Sequence, residues 1–175
     1  MINKLKKWFG FLLGSSFSVG GVFTVECYGP DGNLKWKDTA KNLVTNVGLN
    51  HILDVVLHGT TAVSPWYVGL KNTGTVAASD TSASHSGWTE NTNYTGNRQE
   101  YVEAAASSQS TTNSDSKASF SITSDSQTIA GAFLDSAATG TAGTLLCVAD
   151  FTGGNKSCDN GDTLEVTYTI SAADA

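Results

Sequence analysis

Hydrophobic and polar residues alternate along most of this chain, and the period is two far more often than three or four. VFTVECY sets Phe23, Val25 and Cys27 on one face and Thr24 and Glu26 on the other. GPDGN follows, with Pro30 and Gly32 where a tight turn wants them, and LKWKD returns as a partner strand. Residues 22–38 therefore predict a β-hairpin. QEYVEAAAS, SKASFSIT, SQTIAGAFLDS, GTLLCVADF and DTLEVTYTIS repeat the strand pattern further on. In the last of these, Leu164, Val166, Tyr168 and Ile170 alternate with Thr and Glu.

One stretch breaks the period. Between Asn42 and Leu70 the chain reads NLVTNVGLNHILDVVLH, GTTAVSP and WYVGL. Leu49, Ile52, Leu53 and Val56 fall at i, i+3, i+4 and i+7, which predicts a helix over 46–58. Thr45 or Asn46 is placed to cap its start, and Gly59 its end. The stripe predicts that this helix covers one side of a sheet. WYVGL reads as a strand buried on both faces, or on one face plus an interface.

The expected fold is mainly β: an antiparallel β-sandwich of about eight strands with one packed α-helix. No second helix is available in the body for parallel crossovers, so hairpins and Greek-key connections are expected. Residues 105–116, AASSQSTTNSDS, read as a long hairpin loop. Residues 71–96 form a longer polar loop punctuated by Trp88 and Tyr94, and such loops usually have a job. His85, Trp88 and Tyr94 are its candidate binding residues, with the aromatic pair also placed to pin the loop to the body.

The N-terminus differs from the rest. Its Lys-rich start and apolar middle resemble a secretory signal, but the apolar run is short and broken by glycines. It is also too short to span a membrane comfortably. Read as a helix, it lines up Ile2, Leu5, Trp8, Phe9 and Leu12. The expectation is an amphipathic arm and Gly/Ser tether over 1–21, followed by a sandwich domain over 22–175. Docking on a partner subunit, on a membrane surface or on its own body are the three readings of that arm, partner docking being preferred.

Charge sharpens the division. Residues 1–20 hold Lys4, Lys6 and Lys7 and no acid, so the other seven basic residues face all sixteen acidic ones, a net −9 within an overall −6. An acidic body repels nucleic acid, and no nucleic-acid partner is expected. Three cysteines without paired spacing argue against a zinc site or disulfide framework. Cys27 and Cys147 read as buried hydrophobes, while Cys158, in a Gly/Asn loop, is free to pair with either or with another subunit.

Four chemical readings are weak. His51 and His58 lie about 10 Å apart along a helix by the 1.5 Å rise, too far for one metal ion. His85 with Asp80 upstream and serines beside it lacks a nucleophile elbow. CDNGDT lacks the full spacing of a calcium loop and contains an Asn-Gly turn signal. Trp36, Trp66 and Trp88 fit a core or interface better than a sugar-stacking platform. No catalytic, cofactor or metal residue is assigned.

VECYGPDGNLKWKDTAKNLVTNVGLNHILDVVLHGTT, WYVGL, ASDTSASHSGWTE and GDTLEVTYTIS together resemble a group of small structural proteins of tailed bacteriophages, over about Val22 to Ser171. NLVTNVGLN and SHSGWTE are the most specific parts. The resemblance implies a non-enzymatic virion component of head-decoration, neck or fibre type, assembled in the host cytoplasm. It implies other virion proteins as partners and a homo-oligomer, a trimer being favoured. A tail-fibre receptor or glycan-binding module is the alternative.

Overall fold

Strand pairing in this protein is organised by two twelve-residue strands, β1 (Phe17–Tyr28) and β13 (Thr163–Asp174), which run antiparallel along their whole length. The computed structural model describes residues 16–174. Phe23, Val25 and Cys27 point inward with Leu164, Val166 and Tyr168, all fully buried, as their alternation requires. β2 (Leu34–Lys41) pairs with β1 through the expected hairpin. β7 (Ser110–Thr112) and β8 (Ala118–Ser121) pair with successive stretches of β13, which completes a five-stranded sheet.

The second sheet has the order β3 (Leu43–Val44), β11 (Leu145–Asp150), β10 (Gly131–Asp135), β4 (Trp66–Lys71), β5 (Glu90–Asn91), with β6 (Gln99–Tyr101) also on β4. β9 (Gln127–Ile129) and β12 (Lys156–Cys158) form a separate pair. Every pairing is antiparallel, and the inner faces of both large sheets share one apolar core. The mainly β, antiparallel expectation with one helix holds among the described residues.

Several details differ from the sequence reading. β1 begins at Phe17, not Val22, because β13 continues to Asp174 and supplies a partner for Phe17–Gly21. That part of the expected tether is strand. The remaining arm positions Ile2, Leu5, Trp8, Phe9 and Leu12 lie outside the described residues. SQTIAGAF divides at Ala130, whose N–H donates to Lys71 O, so β9 and β10 serve different sheets. Cys158 is in a strand, and all three cysteines are buried and free.

The helix, α1 (Asn46–Leu57), starts where expected. The Thr45 side chain caps it by accepting from Gly48 N at 3.0 Å. Its hydroxyl donates to Leu145 O, and Thr45 N donates to Leu146 O at 3.1 Å, so β11 holds the helix start. At the other end His58 is the cap residue and Gly59 takes the left-handed φ of 75°.

Candidate interaction surface

The long loop between β4 and β5 is anchored by buried charge at both ends. Lys71 is fully buried, and its ammonium donates to Asp150 Oδ1 at 2.6 Å, Asn72 O at 3.0 Å and Gly74 O at 2.9 Å. Three acceptors around one desolvated ammonium fix the loop's exit from β4. Beyond the loop, Arg98 forks onto Glu90 with bonds of 2.8 and 2.7 Å. It also donates to Ala137 O and Gly140 O and lies 3.3 Å from Asp135 Oδ1.

Between these anchors the loop folds down onto the outer face of the second sheet. Trp88 is buried and joins Phe133, Leu145 and Val148 in a second apolar cluster, with Val76 against it. Its indole N–H donates to Asp80 Oδ2 at 2.9 Å, and the same oxygen accepts from Ala77 N. His85 stacks on Trp88 at 4.1 Å between centroids, and its Nδ1 donates to Trp88 O at 3.1 Å. Tyr94 is buried, edge-on to Phe120 at 4.8 Å, with its hydroxyl 3.5 Å from Glu90 Oε1. Burial pushes that phenol well up from its ordinary range, reinforced by the neighbouring carboxylate.

His85, Trp88 and Tyr94 were named as candidate binding residues, with the aromatic pair also placed to pin the loop; the structure turns the two aromatic rings inward, in the pinning position. The exposed Trp88 that a glycan-binding loop needs is absent. The reason is the sheet itself: Phe133 on β10 faces outward, so its ring needs a lid.

The remaining candidate groups are likewise occupied. Asp80 serves Trp88 rather than His85. His51 meets Trp66 edge-on at 5.4 Å. Trp36 donates to Ser157 O at 2.8 Å and packs on Phe151. Asp162 is buried and accepts from Lys35 Nζ at 2.6 Å and Asp159 N at 2.8 Å. Among the described residues no group of three or more His, Cys, Asp or Glu side chains is placed to hold a metal ion, and no helix is long and apolar enough to cross a membrane.

Among the described residues, four of the eight exposed large apolar side chains lie on the helix. The stripe of Leu49, Ile52, Leu53 and Val56 was expected against a sheet, yet only Ile52 packs on the core. Leu49 is 42% exposed, Leu53 52%, Val56 72% and Leu57 79%. The cause is Gly48: it is buried against the Leu146 backbone, where a Cβ would collide with the carbonyl. Close approach at Gly48 rolls α1 so that His51, Ile52 and Val55 line the groove beside the body, and the leucines face out. Seven of the helix's twelve residues are apolar and spread around it, so periodicity alone did not select the packed side. The signal that was available is charge: Asp54 is the sole charged residue between Asn42 and Leu70.

The sandwich thus packs its long loop on its own sheet and turns helix leucines outward, an apolar surface of the kind that marks interaction sites. The chain matches the family model described as Podophage GP4 fiber I protein gp80 over residues 43–171, and it belongs to that family. It is thus a tailed-phage virion structural protein, as the resemblance drawn from NLVTNVGLN and SHSGWTE implied. No curated protein matches the chain.

Proposed function

We propose that this protein is a non-enzymatic fibre-type component of the phage particle, anchored to the capsid or neck through its N-terminal arm, with the sandwich displayed outward. The observation that carries this reading is the fibre-family match over residues 43–171, which leaves the Lys-rich apolar segment upstream of it. Ile2, Leu5, Trp8, Phe9 and Leu12 are the docking residues in this reading. Copies associate with one another, a trimer being favoured, and the other partners are capsid, neck or fibre subunits. Assembly takes place in the host cytoplasm. The glycan-binding alternative loses its support with the inward Trp88.

Deletion of residues 2–14 tests the anchor. Particles assembled with the truncated protein are expected to carry less than a tenth of the normal copy number, measured by quantitative mass spectrometry of purified virions. Normal copy number would sink the anchoring role.

A further inference from the structure

Leu49, Leu53 and Leu57 recur every four residues along α1, so their side chains form one continuous ridge of the i±4 type, with Val56 beside it. The ridge is about 12 Å long by the 1.5 Å rise. Alongside it runs a groove lined by Ile52, Val56, Ala62, Val63, Trp66 and Ile170. A second apolar groove, lined by Val19, Ile52, Ala106, Thr111, Ile170 and Ala172, continues from it through the shared Ile52 and Ile170. Soluble chains seldom leave so continuous an apolar surface uncovered.

We propose that this ridge-and-groove face of α1 seats a second copy of the same chain. The proposal rests on the reading that copies associate, and it names the surface by which they do so. Two features select this occupant. First, a ridge adjoining a groove of the same chemistry is self-complementary: the leucines of one copy fill the groove of the next, in the ridges-into-grooves manner of packed helices. Second, the face is nearly free of charge. A chain of net −6 is repelled by its own kind over most of its surface, and least where Asp54 is the sole charge in 42–70. The same poverty of carboxylates disfavours the chain's own arm as occupant, since neither groove offers Lys4, Lys6 and Lys7 a carboxylate in its lining.

The test is sedimentation velocity on the full chain over a wide concentration range. The set comprises wild type, Leu53→Glu/Leu57→Glu, Leu57→Asp alone, Thr73→Glu as a charge control on the exposed loop, and the 2–14 deletion. Wild type, Thr73→Glu and the deletion are expected to associate equally. The double variant is expected to associate at least 100-fold more weakly, with an unchanged circular dichroism spectrum. Leu57→Asp alters a side chain 79% exposed, so its weakened association keeps the test valid should the double variant misfold. If both glutamate and aspartate variants assemble as tightly as wild type, the surface is wrong while self-association stands. A wild type that stays monomeric throughout overturns both. Loss of assembly on deleting 2–14 would give the face to the arm and overturn the proposal.

Discussion

Thr45 shows how much one side chain carries in this fold. Fully buried, it closes the first turn of α1 and at the same time bonds to Leu145 of the neighbouring sheet. Thr45→Val keeps the volume and removes both bonds. Losing the cap costs about 1 kcal/mol, and leaving a buried carbonyl unpaired costs about 1–3 kcal/mol. Urea titration should therefore show a loss of about 2–4 kcal/mol for Val and a smaller one for Ser; a valine variant as stable as wild type would refute the assignment. The cysteines make a second residue-scale case. Burial, with Asp162 nearby, pushes the Cys27 thiol up to about 12, and burial pushes Cys147 and Cys158 up to about 11. Few thiolates exist at pH 8 and none of the three side chains is accessible, so a thiol reagent should label all three together, and only as fast as the protein opens. Rapid labelling of any one in the native state would contradict this. Thr45 was legible from the sequence as one of two caps. The burial of Cys158 was not, because its strand is three residues long and sits among turn residues.

Among the elements, the five-stranded sheet carries a row of alternating charge on its outer face. Lys37 donates to Glu26 at 2.9 Å, Lys117 to Glu26 at 2.7 Å, and Lys117 to Glu165 at 2.9 Å, tying β2, β1 and β13 to the start of β8. The bond from Lys117, then that from Lys37, holds the Glu26 carboxyl below its ordinary range, while Glu26 and Glu165 push the Lys117 ammonium up. Glu26 therefore contributes stability that is complete above the ordinary carboxylate value of about 4.3 and is lost as pH falls through its lowered value. Lys117 contributes below the ordinary lysine value of about 10.4, and its share is lost as pH rises through the raised one. Lys37 and Lys117 are partly solvated, so screening keeps each pair to about 0.2–1 kcal/mol. Glu26→Gln should lower the neutral plateau by that amount and flatten the acid limb of a stability–pH profile; an unchanged acid limb would show the row to be inert. The long elements behind this row could be read from the sequence: alternation located β2, β8, β13 and the inner part of β1, and continuous apolar runs located β4 and β11. β3, β5, β7 and β12 have two or three residues each and carry no period to read. β3, β5 and β7 form because a longer neighbour offers them an edge, while β12 pairs with the equally short β9.

At the scale of the molecule, the distribution of apolar surface decides what kind of partner is sought. The sequence located the loop and the helix, and Trp88 and Tyr94 pin the loop as one reading had it, but the helix presents leucines to the outside. Both outcomes follow from tertiary contacts a single sequence does not display, the outward ring of Phe133 and the backbone approach of Gly48 to Leu146. The outward helix face has a thermodynamic consequence. If copies meet through α1, folding and association are linked, and the folded state gains free energy with protein concentration. For tight association into a dimer or trimer, a hundredfold increase in concentration stabilises the assembled state by about 1.4–1.8 kcal/mol per chain. For a chain of this length that corresponds to a Tm rise of roughly 3–7 °C. Calorimetry at two concentrations should show this rise for wild type and for Thr73→Glu, and no concentration dependence for Leu53→Glu/Leu57→Glu. Exposing fewer leucines to water, the double variant is expected to match the dilute wild type in Tm, so the helix face costs the single chain little and acts only once a neighbour covers it. A wild-type Tm that does not move with concentration would mean that the leucines of α1 remain uncovered at those concentrations.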